Sequence, residues 1–141
     1  MTATAPEDVA WNLEPLVDGE GEAGAMRLLD EAQQRADAFA EQHAGRVAQL
    51  DGREVAAAVA ELAQIAETVG RVGSYAALRF AVDTAEPANG ALLQRIQERG
   101  TAIETKLLFF ELEWAALDDA RADELMEAEG LETARHHLRT L

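Results

Sequence analysis

The feature that most constrains this chain is an apolar seam with helical spacing within residues 87–117. Its members recur at alternating steps of four and three: Leu92, Ile96, Gly100, Ile103, Leu107, Phe110, Trp114 and Leu117. Such steps place side chains on one face of an α-helix, and a near-heptad repeat favours a shallow antiparallel crossing with a neighbouring helix. The sequence therefore predicts a long helix that buries this seam against another helix.

The neighbouring helix is predicted over residues 51–82. Asp51 and Glu54 form a capping-box pattern at its start. One face then carries a second apolar series: Val55, Val59, Leu62, Ile65, Val69, Val72, Ala76 and Phe80. Gly70 and Gly73 lie on one face and suggest either a close approach by another helix or a kink. Together with residues 87–117, this segment predicts a long antiparallel helical hairpin.

The break between the two long helices lies at residues 83–87. Thr84 is predicted to cap the second helix, and Pro87 suits a first helical turn, where no amide donor is needed. Leu108, Phe109 and Leu112 widen the apolar surface of that helix, so we expect its C-terminal half to be covered on two sides.

Shorter helices are predicted on both sides of the hairpin. Residues 22–44 carry an apolar stripe that Gly45 ends. Asp118 or Asp119 caps a short helix that Gly130 ends. Residues 131–141 have no stop signal, so the chain is expected to end inside a helix, as either a truncated protein or a frayed natural terminus would. No stretch alternates like a strand, so the predicted fold is all-α, a helical bundle.

Two regions are predicted, an extended N-terminal arm at residues 1–21 and a helical domain at residues 22–141. Two prolines and two glycines make a long helix in the arm unfavourable. Trp11, Leu13 and Leu16 are expected to pack onto the helical body and anchor the arm, an interpretation we favour over ligand stacking.

Composition limits the functional classes. The 141 residues carry a formal net charge of −15 and no cysteine. An acidic surface repels phosphate backbones and anionic lipid, so neither nucleic acid nor a membrane is an expected partner. The missing cysteines exclude thiolate chemistry and fit a cytoplasmic location. The acidity is equally compatible with a salt-adapted source and with a GC-rich genome.

No arrangement of histidines predicts a metal site. His136 and His137 are adjacent and point about 100° apart on a helix, whereas a helical zinc pair needs imidazoles one turn apart. His43 stands alone near a helix end, where a cation is favoured by the helix dipole. Surface or capping roles are therefore predicted for all three.

Neither the carboxylates nor the hydroxyls supply a catalytic motif. Glu104 and Glu111 share a helix face while Glu113 points elsewhere, and an ion pair with one of three arginines is the favoured interpretation: Arg79, Arg95 or Arg99. Ser74 is the only serine and lies in mid-helix without a nucleophile-elbow motif. We therefore predict no catalytic, cofactor-binding or metal-binding residue in this chain.

Three stretches, in this order, carry a family resemblance. They are Trp-Asn-Leu-Glu-Pro-Leu at residues 11–16, Tyr-Ala-Ala-Leu-Arg-Phe-Ala-Val-Asp-Thr at residues 75–84 with Pro87 behind it, and Leu-Leu-Phe-Phe-Glu-Leu-Glu at residues 107–113. In order and spacing the chain resembles the N-terminal helical domain of oligoendopeptidase F, a family of zinc oligopeptidases.

The resemblance implies an architecture and not a catalytic role. Family members are several times longer and carry His-Glu-x-x-His in a later catalytic domain, which this chain lacks. The resemblance thus implies a helical domain that covers a substrate cleft, with zinc held by the longer parent. Its expected partners are the catalytic domain of the same polypeptide and, for the parent, short peptides; a homo-oligomer is left open. The alternative is a free-standing helical protein-interaction module.

Overall fold

The computed structural model describes residues 12–128, 130–132 and 134–141, and within these ranges it contains helices and turns but no strand. Five α-helices follow one another along the chain: α1 (Gly21–His43), α2 (Gly52–Val82), α3 (Pro87–Ala115), α4 (Asp119–Met126) and α5 (Arg135–Arg139). Two 3-10 turns, Glu14–Val17 and Val47–Gln49, precede α1 and α2. The predicted all-α helical bundle is confirmed.

α2 and α3 form the predicted antiparallel hairpin. A Cβ atom built on Gly90 would lie 3.6 Å from Cε2 of Phe80, and one built on Gly100 would lie 3.3 Å from Cγ1 of Val69. Residues further along α3 therefore contact residues closer to the start of α2, as expected for antiparallel helices. Six of the eight seam residues predicted on α3 are buried, while Leu107 and Leu117 are partly buried.

α1 packs against both helices of the hairpin, so the body is a three-helix bundle. Arg35 on α1 donates two hydrogen bonds of 2.7 Å to Glu61 on α2. Arg99 on α3 pairs with Asp30 on α1 at 2.8 Å. Exposed ion pairs contribute little stability, so the apolar core holds the bundle together. α1 supplies this core with Ala25, Leu28, Leu29, Ala32, Ala36 and Phe39.

The helix ends follow local sequence signals, with one correction. Asp51 accepts a hydrogen bond from the Glu54 amide at 2.8 Å, and the Glu54 carboxylate accepts one from the Asp51 amide at 3.2 Å, which confirms the capping box. α3 begins at Pro87 as predicted, but its N-cap is Glu86 and not Thr84. The Glu86 carboxylate reaches the amide of Ala88 at 3.4 Å, from the position next to the helix.

The first described segment packs closely onto the bundle. Residues 14–17 form a 3-10 turn, because Pro15 prevents a long helix but is accepted in a first turn. Leu13 and Leu16 pack on the core as predicted. Val17, which the sequence did not single out, is completely buried. Trp11 lies outside the described residues, and the division at residues 21/22 stays a prediction.

The C-terminal region differs from its prediction. α4 is capped by Asp118 and ends at Met126, so Gly130, with φ of 96°, lies in the following turn and does not itself end the helix. α5 ends at Arg139, which contradicts the expectation of a chain ending inside a helix. His137 and Thr140 close its last turn through a 3.1 Å backbone hydrogen bond.

The prediction that another helix approaches closely at Gly70 and Gly73 is wrong. Nothing lies within 4 Å of a Cβ built on either residue, and α2 is one helix from Gly52 to Val82. The tight approach occurs instead at Gly100, where Val69 is the neighbour. Among the described residues, no helix has the length and apolarity needed to cross a bilayer.

Candidate docking groove

An apolar groove lies between α2 and α3, and we call it the α2–α3 groove. It has a volume of about 500 Å³. Both long helices and the C-terminal residues line it: Val59, Leu62, Ala63, Ala66, Glu104, Leu107, Leu108, Phe110, Glu111, His137, Leu138 and Leu141. Recesses of this size and character are typical of binding sites.

The groove is open because α1 covers only one side of the C-terminal half of α3. Phe109 packs against Phe39 of α1, with ring centroids 5.8 Å apart. On the other side, Leu108 is 46% exposed and Leu112 is 63% exposed. The prediction that this half of α3 is covered on two sides holds at its end, where Trp114 packs with residues of α4 and α5. It does not hold at Leu108 and Leu112, which stay exposed.

α5 closes one end of the groove, and two hydrogen bonds attach α5 to the rest of the bundle. The indole Nε1 of Trp114 donates to the carbonyl of Leu138 at 3.0 Å, and the guanidinium of Arg135 donates to the carbonyl of Met126 at 2.6 Å. Leu138 is buried while Leu141 is partly buried. The groove thus has two helical walls and a fixed apolar end.

The rim of the groove on α3 is acidic. Glu104 and Glu111 are both exposed, and His137 lies 3.8 Å from Glu111. The arginines predicted to pair with these glutamates are engaged elsewhere. Arg95 pairs with Glu22 at 3.5 Å and Arg99 with Asp30 at 2.8 Å, whereas Arg79 donates to the Tyr75 hydroxyl at 3.1 Å. That ion-pair interpretation is therefore wrong.

Glu113 has a structural role that the sequence did not reveal. Its carboxylate accepts hydrogen bonds from the amides of Gly45 at 2.8 Å and Val47 at 3.3 Å. These amides belong to the connection between α1 and α2, where Gly45 has φ of 76° as expected for a helix stop. Glu113 therefore fastens α3 to that connection.

His43 is buried, which corrects its predicted surface or capping role. Its ring packs on Phe39 with centroids 4.6 Å apart, and Nδ1 has no hydrogen-bond partner within the described part of the chain. Burial lowers the pKa of His43 below its ordinary value of 6.5, although nearby Glu54 opposes this shift. The His43 ring is therefore largely buried beside Phe39, at a recess that Arg35, Glu54 and Glu61 also line.

The described residues do not fit a zinc ion. No group of three or more metal-binding side chains clusters among residues 12–128, 130–132 and 134–141. His136 and His137 are exposed neighbours on α5, and His43 is enclosed by the bundle.

The residues that carry the family resemblance are divided between core and surface. Tyr75, Ala76 and Phe110 are buried, and Phe80 and Leu107 are partly buried, whereas Val82, Leu108 and Leu112 are exposed. Arg79 stacks over the Tyr75 ring at 5.9 Å, beside a polar recess lined by Asn12, Glu14 and Glu22. The stretches at residues 75–84 and 107–113 therefore lie on the two helices of the hairpin, and the second of them also lines the groove through Leu107, Leu108, Phe110 and Glu111.

Fold and groove together define a class, an all-helical bundle with an uncovered apolar groove on its hairpin. Comparison with protein-family models, curated proteins and solved structures gives no match for this chain.

Proposed function

We propose that this chain is a non-catalytic helical domain from the N-terminal part of a cytoplasmic zinc peptidase of the oligoendopeptidase F type, and that it covers the peptide-binding cleft of the parent enzyme. The three sequence stretches given above support the family. The groove supports the role, since a covering domain must present an apolar surface to the rest of its enzyme.

The open α2–α3 groove is the observation that carries this proposal. Leu108, which lines the groove, is 46% exposed on a helix whose seam residues Ile103 and Phe110 are buried. Burying apolar area releases about 25 cal/mol per Å², so an uncovered groove favours association with a second surface. In the proposed enzyme that surface belongs to the catalytic domain of the same polypeptide.

In this proposal, hydrolysis and the covering of the cleft belong to different domains of the parent enzyme. Zinc, held by the later catalytic domain, would polarise the scissile carbonyl and activate water. The present chain would exclude water from the cleft and restrict entry to short, unfolded peptides. Its rigid body suits this task, because both long helices are fixed by the buried seam of α3.

The proposal is tested with the chain alone and with the product of the reading frame continued past Leu141. The chain alone should not hydrolyse a quenched fluorescent peptide. The longer product should hydrolyse it and lose this activity with a zinc chelator such as 1,10-phenanthroline. A downstream frame without His-Glu-x-x-His, or chelator-resistant hydrolysis by the chain alone, would contradict the proposal.

A free-standing protein-interaction module is the second candidate function. One observation favours it: the groove is completed within this chain, because Trp114 and Arg135 hold α5 at its end. A module of this kind would function without a catalytic half. If no peptidase sequence is encoded beside this chain and the purified domain captures a partner through the groove, the second function replaces the first.

A further inference from the structure

The α2–α3 groove also indicates which kind of surface covers it. We propose that its occupant is an amphipathic α-helix with a leucine-rich face and basic flanking residues. This inference concerns the chemistry of the occupant. It holds whether the helix is supplied by a catalytic domain of the same polypeptide or by another protein, so it does not depend on the peptidase assignment.

The dimensions of the groove fit a helix. The α2 wall runs from Val59 to Ala66 and the α3 wall from Glu104 to Glu111, so that each wall spans seven residue steps. At 1.5 Å per residue each wall is about 10 Å long, or two helical turns. Helix-in-groove recognition uses apolar anchors at i, i+3 or i+4, and i+7, which span the same distance.

The walls differ in a way that favours close packing of a helix. Ala63 and Ala66 are exposed on α2, and their small side chains leave the α2 side of the groove opening uncrowded. On α3, Leu107 and Leu108 stand opposite as bulky side chains. An incoming helix can therefore approach the α2 backbone while its own leucines fill the space beside Leu107 and Phe110.

The charge of the rim selects basic flanks. Glu104 and Glu111 stand seven residues apart on α3, on either side of Leu107 and Leu108. Lys or Arg residues spaced by seven on the incoming helix would match them. His137, which is 67% exposed, lies 3.8 Å from Glu111 at this rim.

The same charges disfavour a second copy of this chain as occupant. Each copy carries a net charge of −15, and pairing through the groove would bring two acidic rims together. A basic helix would instead be attracted to the acidic rim, and at low salt this attraction also acts at longer range.

The test measures fluorescence anisotropy of two labelled peptides of about 18 residues. Both carry leucines at i, i+4, i+7 and i+11; one has lysines at the flanking positions and the other has glutamates. We expect the lysine peptide to bind at least about tenfold more tightly than the glutamate peptide at low salt.

Matched variants locate the binding surface. Leu108→Gln should weaken binding of the lysine peptide about tenfold, because Leu108 lines the groove, while Leu112→Gln, one turn further along α3, should leave it nearly unchanged. Glu104→Gln with Glu111→Gln should reduce the salt dependence of binding. Glu41→Gln with Glu127→Gln makes the same change in net charge at exposed sites outside the groove and should not. Circular dichroism verifies that each variant is folded.

Four results would overturn the inference. Equal affinity for the two peptides would contradict the basic flanks. Unchanged binding by Leu108→Gln would place the peptide outside the groove, and equal weakening by Leu108→Gln and Leu112→Gln would place it along the exposed face of α3 beyond the groove. Sedimentation showing a dimer that Leu108→Gln dissociates would assign the groove to a second copy of the chain.

Discussion

At the scale of single residues, His43 contributes a pH-dependent part of the stability. Burial lowers its pKa below 6.5, so the unfolded state binds a proton more readily than the folded state. The free energy of unfolding should therefore fall as the pH drops below about 6.5, and recover at neutral pH. This loss should diminish in His43→Leu, which removes the titrating group.

The measurement is urea unfolding of wild type and His43→Leu between about pH 5 and pH 8. His136→Gln, a change at an exposed histidine, serves as control. Glu54 and Arg46 are the charged groups that act on His43, so they remain unchanged throughout. A difference in stability between wild type and His43→Leu that is constant over this range would refute the prediction.

Glu113 provides a second prediction at this scale. Glu113→Ala removes the acceptor of two amide hydrogen bonds and leaves the amides of Gly45 and Val47 without it. We expect a loss of about 1–3 kcal/mol in the free energy of unfolding. Glu41→Ala, at an exposed position, should change stability by less than about 0.5 kcal/mol. Similar losses for the two variants in urea unfolding would refute the proposed role.

At the scale of elements, glycines of α2 and α3 should respond differently to substitution. Gly70→Ala adds a methyl group where nothing lies within 4 Å, so it should stabilise α2 by about 0.5–1 kcal/mol. Gly100→Leu forces a large side chain against Val69 and should destabilise the hairpin by about 1–3 kcal/mol. Thermal unfolding of both variants provides the comparison, and stabilisation by Gly100→Leu would contradict the described packing.

The position of α5 depends on Trp114 as well as on Arg135. Trp114→Phe keeps an aromatic ring but removes the hydrogen bond to the Leu138 carbonyl. The cost should be about 1–3 kcal/mol and largest in residues 134–141, because the lost hydrogen bond joins Trp114 to α5. Hydrogen exchange should show faster exchange there than in wild type, with α2 unchanged. Uniform acceleration throughout the chain would indicate a general loss of the core instead.

At the scale of the whole molecule, the excess of negative charge should make stability depend on salt. The chain has 27 acidic and 12 basic residues, so repulsion among carboxylates opposes the folded state at neutral pH. Raising NaCl from about 10 mM to about 500 mM should increase Tm at pH 7 by screening this repulsion. The same series near the sequence pI of 4.4 should have little effect. A Tm independent of salt at pH 7 would refute the prediction and the salt-adapted interpretation together.

Much of the fold could be predicted because its signals are local. The capping box of Asp51 and Glu54, the break before Pro87 and the seam of α3 each depend on residues within one or two helical turns. The candidate groove was harder to predict. Leu108 and Leu112 were recognised as apolar, but the spacing along α3 cannot say which side α1 covers.

The sequence by itself determined an all-α chain with a long hairpin, because helical periodicity and caps are set by neighbouring residues. Only the tertiary structure decided which surfaces stay open. Glu113 meets amides 66 and 68 residues away, and Gly100 rather than Gly70 lies at the tight helix contact. These outcomes depend on how three helices share one core, and on where α1 ends, so they leave the α2–α3 groove uncovered for the basic helix we propose.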